Sequence, residues 1–190
     1  MEIILIILIA ALVATAIYGV ILYNGLVRLK HGVSKAWSNI DVLLKQRHDE
    51  LPKLVETCKQ YMKFEQETLE RVMHARAAVS AAQSRGDVAG VGSAEGELRL
   101  GLGNLFAVAE AYPELKSNQQ FQHLQQRITE LEDSIADRRE LYNESANNNN
   151  VRIEQFPDVI VAGMFGFKAA DLLEFSAEEK ADVNLKSLFD

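Results

Sequence analysis

Cysteine, proline and tryptophan are scarce in this chain, with one, three and one among 190 residues. The single cysteine, Cys58, excludes an internal disulfide and a cysteine-based zinc site. At its helical spacing it reads as a small buried hydrophobe rather than a reactive thiol. Positive charge is also in deficit. Twenty basic residues face 27 acidic ones, for a net charge of −7 and a pI of about 5.2. No basic patch stands out beyond a few residues near the first apolar segment, which argues against nucleic acid as a partner and for anionic lipid headgroups. Strand-like alternation is missing throughout, so the expected class is all-α. Charge of either sign is absent between Glu2 and Arg28.

That uncharged stretch is the most informative part of the chain. Residues 3–23 form a helix about 31 Å long at 1.5 Å per residue, enough to cross a hydrocarbon core of roughly 30 Å. A cleaved signal peptide is the weaker reading. Ala14-Thr15-Ala16 could serve as a cleavage site, but Met1-Glu2 offers no basic n-region. A buried core helix would be shorter and not apolar on every face. Arg28, Lys30, Lys35, Lys45 and Arg47 follow the span. The positive-inside bias therefore places the N-terminus outside and the main domain in the cytoplasm. Tyr18 and Tyr23 lie toward the inner end, where an interfacial aromatic belt is expected. Ala11, Thr15 and Gly19, at i, i+4 and i+8, make a small-residue face on which spans could associate. The expected division is a transmembrane helix over 1–25, a helical-bundle domain over 26–175 and a charged, loosely held tail over 176–190.

From Val33 the apolar positions step by four and three through Trp37, Ile40, Leu44, Leu51, Leu54 and Cys58, then less cleanly through Met62, Leu69, Val72 and Val79. This periodicity predicts one amphipathic helix of about 50 residues. Pro52 lies inside it. The phase passes Pro52 without a slip and no C-cap residue precedes it, which favours a continuous, kinked helix over a tight turn. Residues 84–93, with three glycines, read as the clearest loop, and Ser93 is placed to cap the next helix. Gly90-x-Gly92 follows no strand and is read as a turn rather than a phosphate loop. Leu98, Leu102, Leu105, Phe106 and Ala109 supply that helix's buried face. Gly96, Gly101 and Gly103 invite close approach of a neighbour. Tyr112-Pro113 interrupts it. A further helix starts at Ser117 or Asn118, with Phe121, Leu124, Ile128, Leu131, Ile135, Arg138 and Tyr142 on one face as a heptad. The four asparagines 147–150 are expected to end it. The apolar run 159–167 is expected to complete the core as a short fourth helix. The other reading is an interfacial segment, carried by Phe156, Met164, Phe165, Phe167 and Phe175 with Lys168 beside them. The resulting fold is an N-terminal transmembrane helix followed by an antiparallel four-helix bundle with a long, kinked first helix.

Several blocks resemble the LemA family of bacterial membrane proteins: Tyr23-Asn24-x-Leu26-Val27, Ala36-Trp37-x-x-Ile40-Asp41-Val42-x-Leu44-Lys45-x-Arg47-x-Asp49, Leu51-Pro52-x-Leu54-Val55-Glu56-Thr57, Tyr112-Pro113-Glu114-Leu115-Lys116, Tyr142-Asn143, Phe156-Pro157 and Gly163-x-Phe165-Gly166-Phe167. They run in order over nearly the whole chain to about Phe175. Lys53 stands where the family often has Asn. The resemblance implies a single span of the bacterial inner membrane with the N-terminus outside, a four-helix bundle, no cofactor and no established enzymatic activity. It also implies a scaffold or adaptor role, with a membrane zinc protease or a TPM-domain membrane protein as possible partners, and a related branch in magnetosome membranes.

Catalytic chemistry is hard to build from the residues. None of His31, His48, His74 and His123 has a Glu three places before it, as helical-bundle metal sites require. Glu70 and His74 make one pair without further ligands. Asn143-Glu144-Ser145 is a formal glycosylation sequon on a predicted helix and is discounted. Arg47, Glu65 and Arg138 interrupt apolar stripes. They are read first as edge residues whose stems snorkel to water, and second as a buried ionic network. The expected function is that of a membrane-anchored homo-oligomeric scaffold or adaptor, with Trp37, Arg47, Phe165 and Phe167 as candidate interface residues. The alternative is a regulator or enzyme at the inner membrane face.

Overall fold

A computed structural model describes residues 1–174; the expected tail and Phe175 lie outside the described residues. Among the described residues six helices follow one another: α1 (Glu2–Lys59), α2 (Gln66–Arg85), α3 (Val88–Ala109), α4 (Pro113–Lys116), α5 (Gln119–Glu154) and α6 (Asp158–Phe165). No strand occurs among the described residues. The chain forms two compact units. The first joins Met1–Ile40 to Arg138–Leu172, and the second joins Asp41–Asp137 to Leu173 and Glu174.

The second unit is the bundle. Its core gathers Leu51, Leu54 and Cys58 from α1, Leu69 and Val72 from α2, Leu98 and Leu102 from α3, and Phe121 and Ile128 from α5. Directions follow from paired side chains. Gln83 donates to the Asp41 carboxylate at 2.6 Å and Arg76 to the His48 carbonyl at 2.9 Å, so α2 runs antiparallel to α1. Asn118 donates to the Tyr61 hydroxyl at 3.0 Å, and Arg47 pairs with Glu132, so α5 is antiparallel to α1 as well.

The helix expected from Val33 to Val79 instead stops at Lys59, and α2 begins at Gln66. The reversal, Gln-Tyr-Met-Lys-Phe-Glu, contains no Gly, Pro or Asn. What marks it is burial: Met62 is 1% exposed in the core, while Phe64, two residues on, is 93% exposed. The helix does run unbroken through Pro52. Proline lacks the N–H that would bond the carbonyl four residues back. That carbonyl belongs to His48, and the Arg76 guanidinium supplies the missing donor from α2.

The glycine-rich loop contracts to a two-residue turn. Gly86 takes φ 67°, closing α2, and α3 starts at Val88 with Asp87, not Ser93, as its cap; the Asp87 carboxylate accepts from the Gly90 N–H at 2.8 Å. Of the glycines expected to allow close approach, Gly101 meets Val72 in ordinary contact and Gly103 faces open space. Gly90 is crowded by its own cap, the Asp87 side chain, and Gly92 by backbone. A Cβ at Gly92 would lie 2.9 Å from the Glu174 carbonyl oxygen. Tyr112-Pro113 does break the chain, with Pro113 opening α4, and Asn118 caps α5 through the Phe121 N–H at 3.0 Å.

The first unit combines the start of α1, the end of α5, α6 and the segment after it. Residues 1–18 are all exposed. Asparagines 147–150 do not end α5, which continues to Glu154. The buried stripe of α5 passes through Arg139 (7% exposed), not Arg138, then Tyr142, Ala146 and Asn149.

Candidate functional site at the foot of the apolar helix

Tyr23 is the last residue of the apolar run. Its ring lies 4.8 Å from that of Phe165 and 5.7 Å from that of Phe167, tilted at 59° and 71°. Both geometries suit the edge-to-face preference of aromatic pairs. Further along α1, Trp37 is half-buried and meets Tyr142 of α5 edge-on at 5.5 Å. Tyr142 donates its hydroxyl to the Asp171 carbonyl at 2.8 Å. Burial, reinforced by the Asp171 charge, raises the Tyr142 pKa and keeps it a donor.

Two asparagines of α5 fasten the chain that follows α6. Asn150 donates to the Ala170 carbonyl at 2.9 Å and accepts from the Ala170 N–H at 2.7 Å. Asn149, 3% exposed, donates to the Lys168 carbonyl at 3.2 Å. An amide side chain carries both a donor and an acceptor, so it can pair with extended backbone as a neighbouring strand would. The Lys168 carbonyl and both backbone polar groups of Ala170 are thus paired without regular structure.

Helix α6 is held at its start by Asp158, buried at 2% and accepting from Arg152 at 2.7 Å, and at its end by Gly166 at φ 68°. Its inner face presents Asp158 and Ala162. Its outer face is apolar as well: Ile160 is 54% exposed, Met164 75% and Phe165 61%, and Phe156 just before it is 81% exposed. A helix standing in water places polar residues outward. The short core helix expected for 159–167 is thus a helix whose large apolar side chains mostly lie outside.

The other sequence-selected residues are distributed as follows. Ala11 and Thr15 are exposed, Gly19 is partly covered, and the Thr15 hydroxyl is used locally on the Ala11 carbonyl at 2.9 Å. Arg47, expected among interface residues, is 2% exposed and belongs to the interior of the bundle unit. It forms a buried ion pair with Glu95 and lies 3.6 Å from Glu132. Burial pushes the Glu132 carboxyl up, while Arg47 and Arg99 pull it down and Glu95 pushes it further up. Glu65 accepts from the Tyr112 hydroxyl at 3.2 Å, and Arg138 is exposed. Arg47 thus takes the network role, though its partners are Glu95 and Glu132 rather than Glu65 and Arg138. Glu95 and Glu132 could have been noticed as carboxylates flanking apolar stripes. Asn149 and Asn150 are misread because asparagine favours turns when only local sequence is considered.

Chemically, this arrangement places aromatics and an outward apolar face around the foot of α1. Among the described residues no group of three or more His, Cys, Asp or Glu is placed to hold a metal ion. The Cys58 thiol is buried and its pKa is pushed up to about 12, far from a reactive thiolate.

The model of the LemA family matches residues 36–186. Magnetosome protein MamQ 2 of Paramagnetospirillum magneticum is 38% identical over 81 residues, 43% of this chain and 30% of that protein. MamQ 1 of the same organism matches to the same extent. Magnetosome protein MamQ of Magnetospirillum gryphiswaldense is 36% identical over 78 residues, 41% of this chain and 29% of the relative. The chain thus spans about 30% of the length of these curated relatives. Neither the family nor these relatives are known enzymes, and nothing among them suggests catalysis. With an apolar helix long enough to cross a membrane and a family match over most of its length, this is a membrane-associated protein that belongs to the LemA family.

Proposed function

We propose that the chain is a membrane-anchored, homo-oligomeric scaffold or adaptor of the bacterial inner membrane, acting through protein and lipid contacts rather than turnover. One observation carries this reading. Every residue from 1 to 18 is exposed, so no described part of the chain covers the apolar start of α1. Such a helix needs lipid, other spans or both around it. The small-residue face Ala11, Thr15 and Gly19 supports association of spans, since a Cβ at Gly19 would meet nothing within 4 Å in its own chain. The relatives' naming as magnetosome proteins supports the membrane-associated part of the reading. The N-terminus is proposed outside and the bundle in the cytoplasm, from the basic residues after the span.

Crosslinking in native membranes followed by capture of the full chain tests the proposal. A ladder of self-crosslinked species that shrinks in Gly19→Leu, with membrane insertion unchanged, supports oligomeric scaffolding through the span. A purely monomeric chain refutes it. Capture of a membrane zinc protease or a TPM-domain protein would turn the reading toward an adaptor or regulator of that partner. For topology, a cysteine at Ser84 in a Cys58→Ala background should be shielded from an impermeant thiol reagent in intact cells; labelling from outside would reverse the orientation.

A further inference from the structure

We propose that α6 and the cleft at its C-terminal end bind anionic phospholipid, the helix lying in the headgroup layer and the cleft gripping the phosphate of a lipid in the leaflet that α1 leaves. The inference rests on the membrane anchoring proposed above.

Position comes first. The uncharged run of α1 ends at Val27, one helical turn beyond Tyr23, and Phe165 and Phe167 pack on the Tyr23 ring. The C-terminal end of α6 is therefore fixed at the depth where the span meets the headgroups. Ile160 and Met164 lie one turn apart on its exposed side, and Phe156 is exposed just before the helix. Facing water, this patch would be a liability. Continuous with a lipid-embedded helix, it is an interfacial anchor of the kind monotopic helices use.

Chemistry comes second. A cleft of about 460 Å³ opens beside Tyr23. Tyr23, Val27 and Phe167 line it with apolar surface, and Lys30, His31 and Lys168 add the cationic and imidazole groups. No carboxylate is among its lining residues. Lys30 stands two helical turns beyond Tyr23, about 10 Å along the axis, within reach of lipid phosphates outside the hydrocarbon edge. Asn149 and Asn150 hold the Lys168–Ala170 segment in place. The chain as a whole carries −7, so overall charge would repel an anionic surface, and selection must come from this local group. An apolar wall joined to two lysines suits an acyl chain with a phosphodiester better than a free anion.

The test uses the full chain in nanodiscs of phosphatidylcholine alone or mixed equally with phosphatidylglycerol. In a Trp37→Phe, Phe165→Trp chain, lipids brominated on their acyl chains should quench the single tryptophan strongly. Lipid retained after mild detergent extraction, counted by native mass spectrometry, should be enriched in phosphatidylglycerol. Lys30→Gln and Lys168→Gln should each lower that enrichment about fivefold, as expected for one basic residue at an anionic surface. Lys168→Arg should preserve it, which separates loss of charge from loss of fold. Inorganic phosphate in millimolar excess should not displace the lipid. Absence of bromolipid quenching, enrichment unchanged in the two glutamine variants, or displacement by inorganic phosphate would each overturn the proposal. If the wild-type chain fails to float with phosphatidylcholine vesicles, the anchoring reading itself fails; flotation without headgroup selection sinks only the present inference.

Discussion

Arg76→Met is the sharpest probe of how this bundle accommodates Pro52. The proline leaves the His48 carbonyl without its helical donor. Arg76 Nε lies 2.9 Å from that oxygen, and its Nη2 lies 2.6 Å from His48 Nε2, so one guanidinium serves both groups of the same residue. A hydrogen bond from a charged donor contributes about 1.5–3 kcal/mol, and the site is only half-buried, so a loss of about 2 kcal/mol is expected. For a chain of this size that corresponds to roughly 4–8 °C in melting temperature. In a Pro52→Ala background the restored N–H can bond the His48 carbonyl itself, and Arg76→Met should then cost only about 1 kcal/mol. Chemical denaturation of the four chains of this cycle measures the coupling. Equal costs in both backgrounds, within about 0.5 kcal/mol, would refute the idea that Arg76 replaces the missing helical donor. A pH arm adds a signed check. Burial first, and the Arg76 charge second, lower the His48 pKa below its ordinary 6.5. The unfolded chain then binds the proton first, so stability falls as pH drops below about 6.5. Removing Arg76 should make that acid limb shallower.

Glu95→Leu should destabilise the bundle by about 3 kcal/mol because it leaves Arg47 buried without its closest partner, and adding Arg47→Met should recover most of that loss in a melting experiment. Glu132 has a raised pKa, so the folded state holds the extra proton between the ordinary carboxylate value and the raised one, and stability falls as pH rises through that window. Glu132→Gln should therefore gain on the wild type from acid to neutral pH; a constant difference would contradict the assigned shift. Asn150→Leu removes both bonds to Ala170, and hydrogen exchange at the Ala170 amide should accelerate by about tenfold or more while α5 stays protected. Cys58, with a pKa of about 12, should resist alkylation at pH 8 in the folded chain and react promptly in denaturant; rapid labelling of the native chain would contradict its burial.

Much of this molecule was determined by sequence alone, where the signal is local and repeated. The uncharged stretch before Arg28 reads as a span by length and composition, and the helical class follows from stripes such as Phe121, Leu124, Ile128 and Leu131. Asn118 and Pro113 could be placed because caps and proline act on their immediate neighbours. Tertiary structure decided what depends on a partner distant in sequence. The reversal after Lys59 lacks any breaker residue and coincides with Met62 entering the core. Asparagines 149 and 150 stay helical because their amides find the backbone of Lys168 and Ala170, which no local propensity records. Arg47 is buried because Glu95 lies opposite it, 48 residues away. The run at 159–167 shows the division most clearly. Its apolar character is evident in sequence, but whether those side chains face inward or outward depends on which surface α6 presents to Tyr23. That is a property of packing, since the hydrophobic effect rewards burial without specifying the cover.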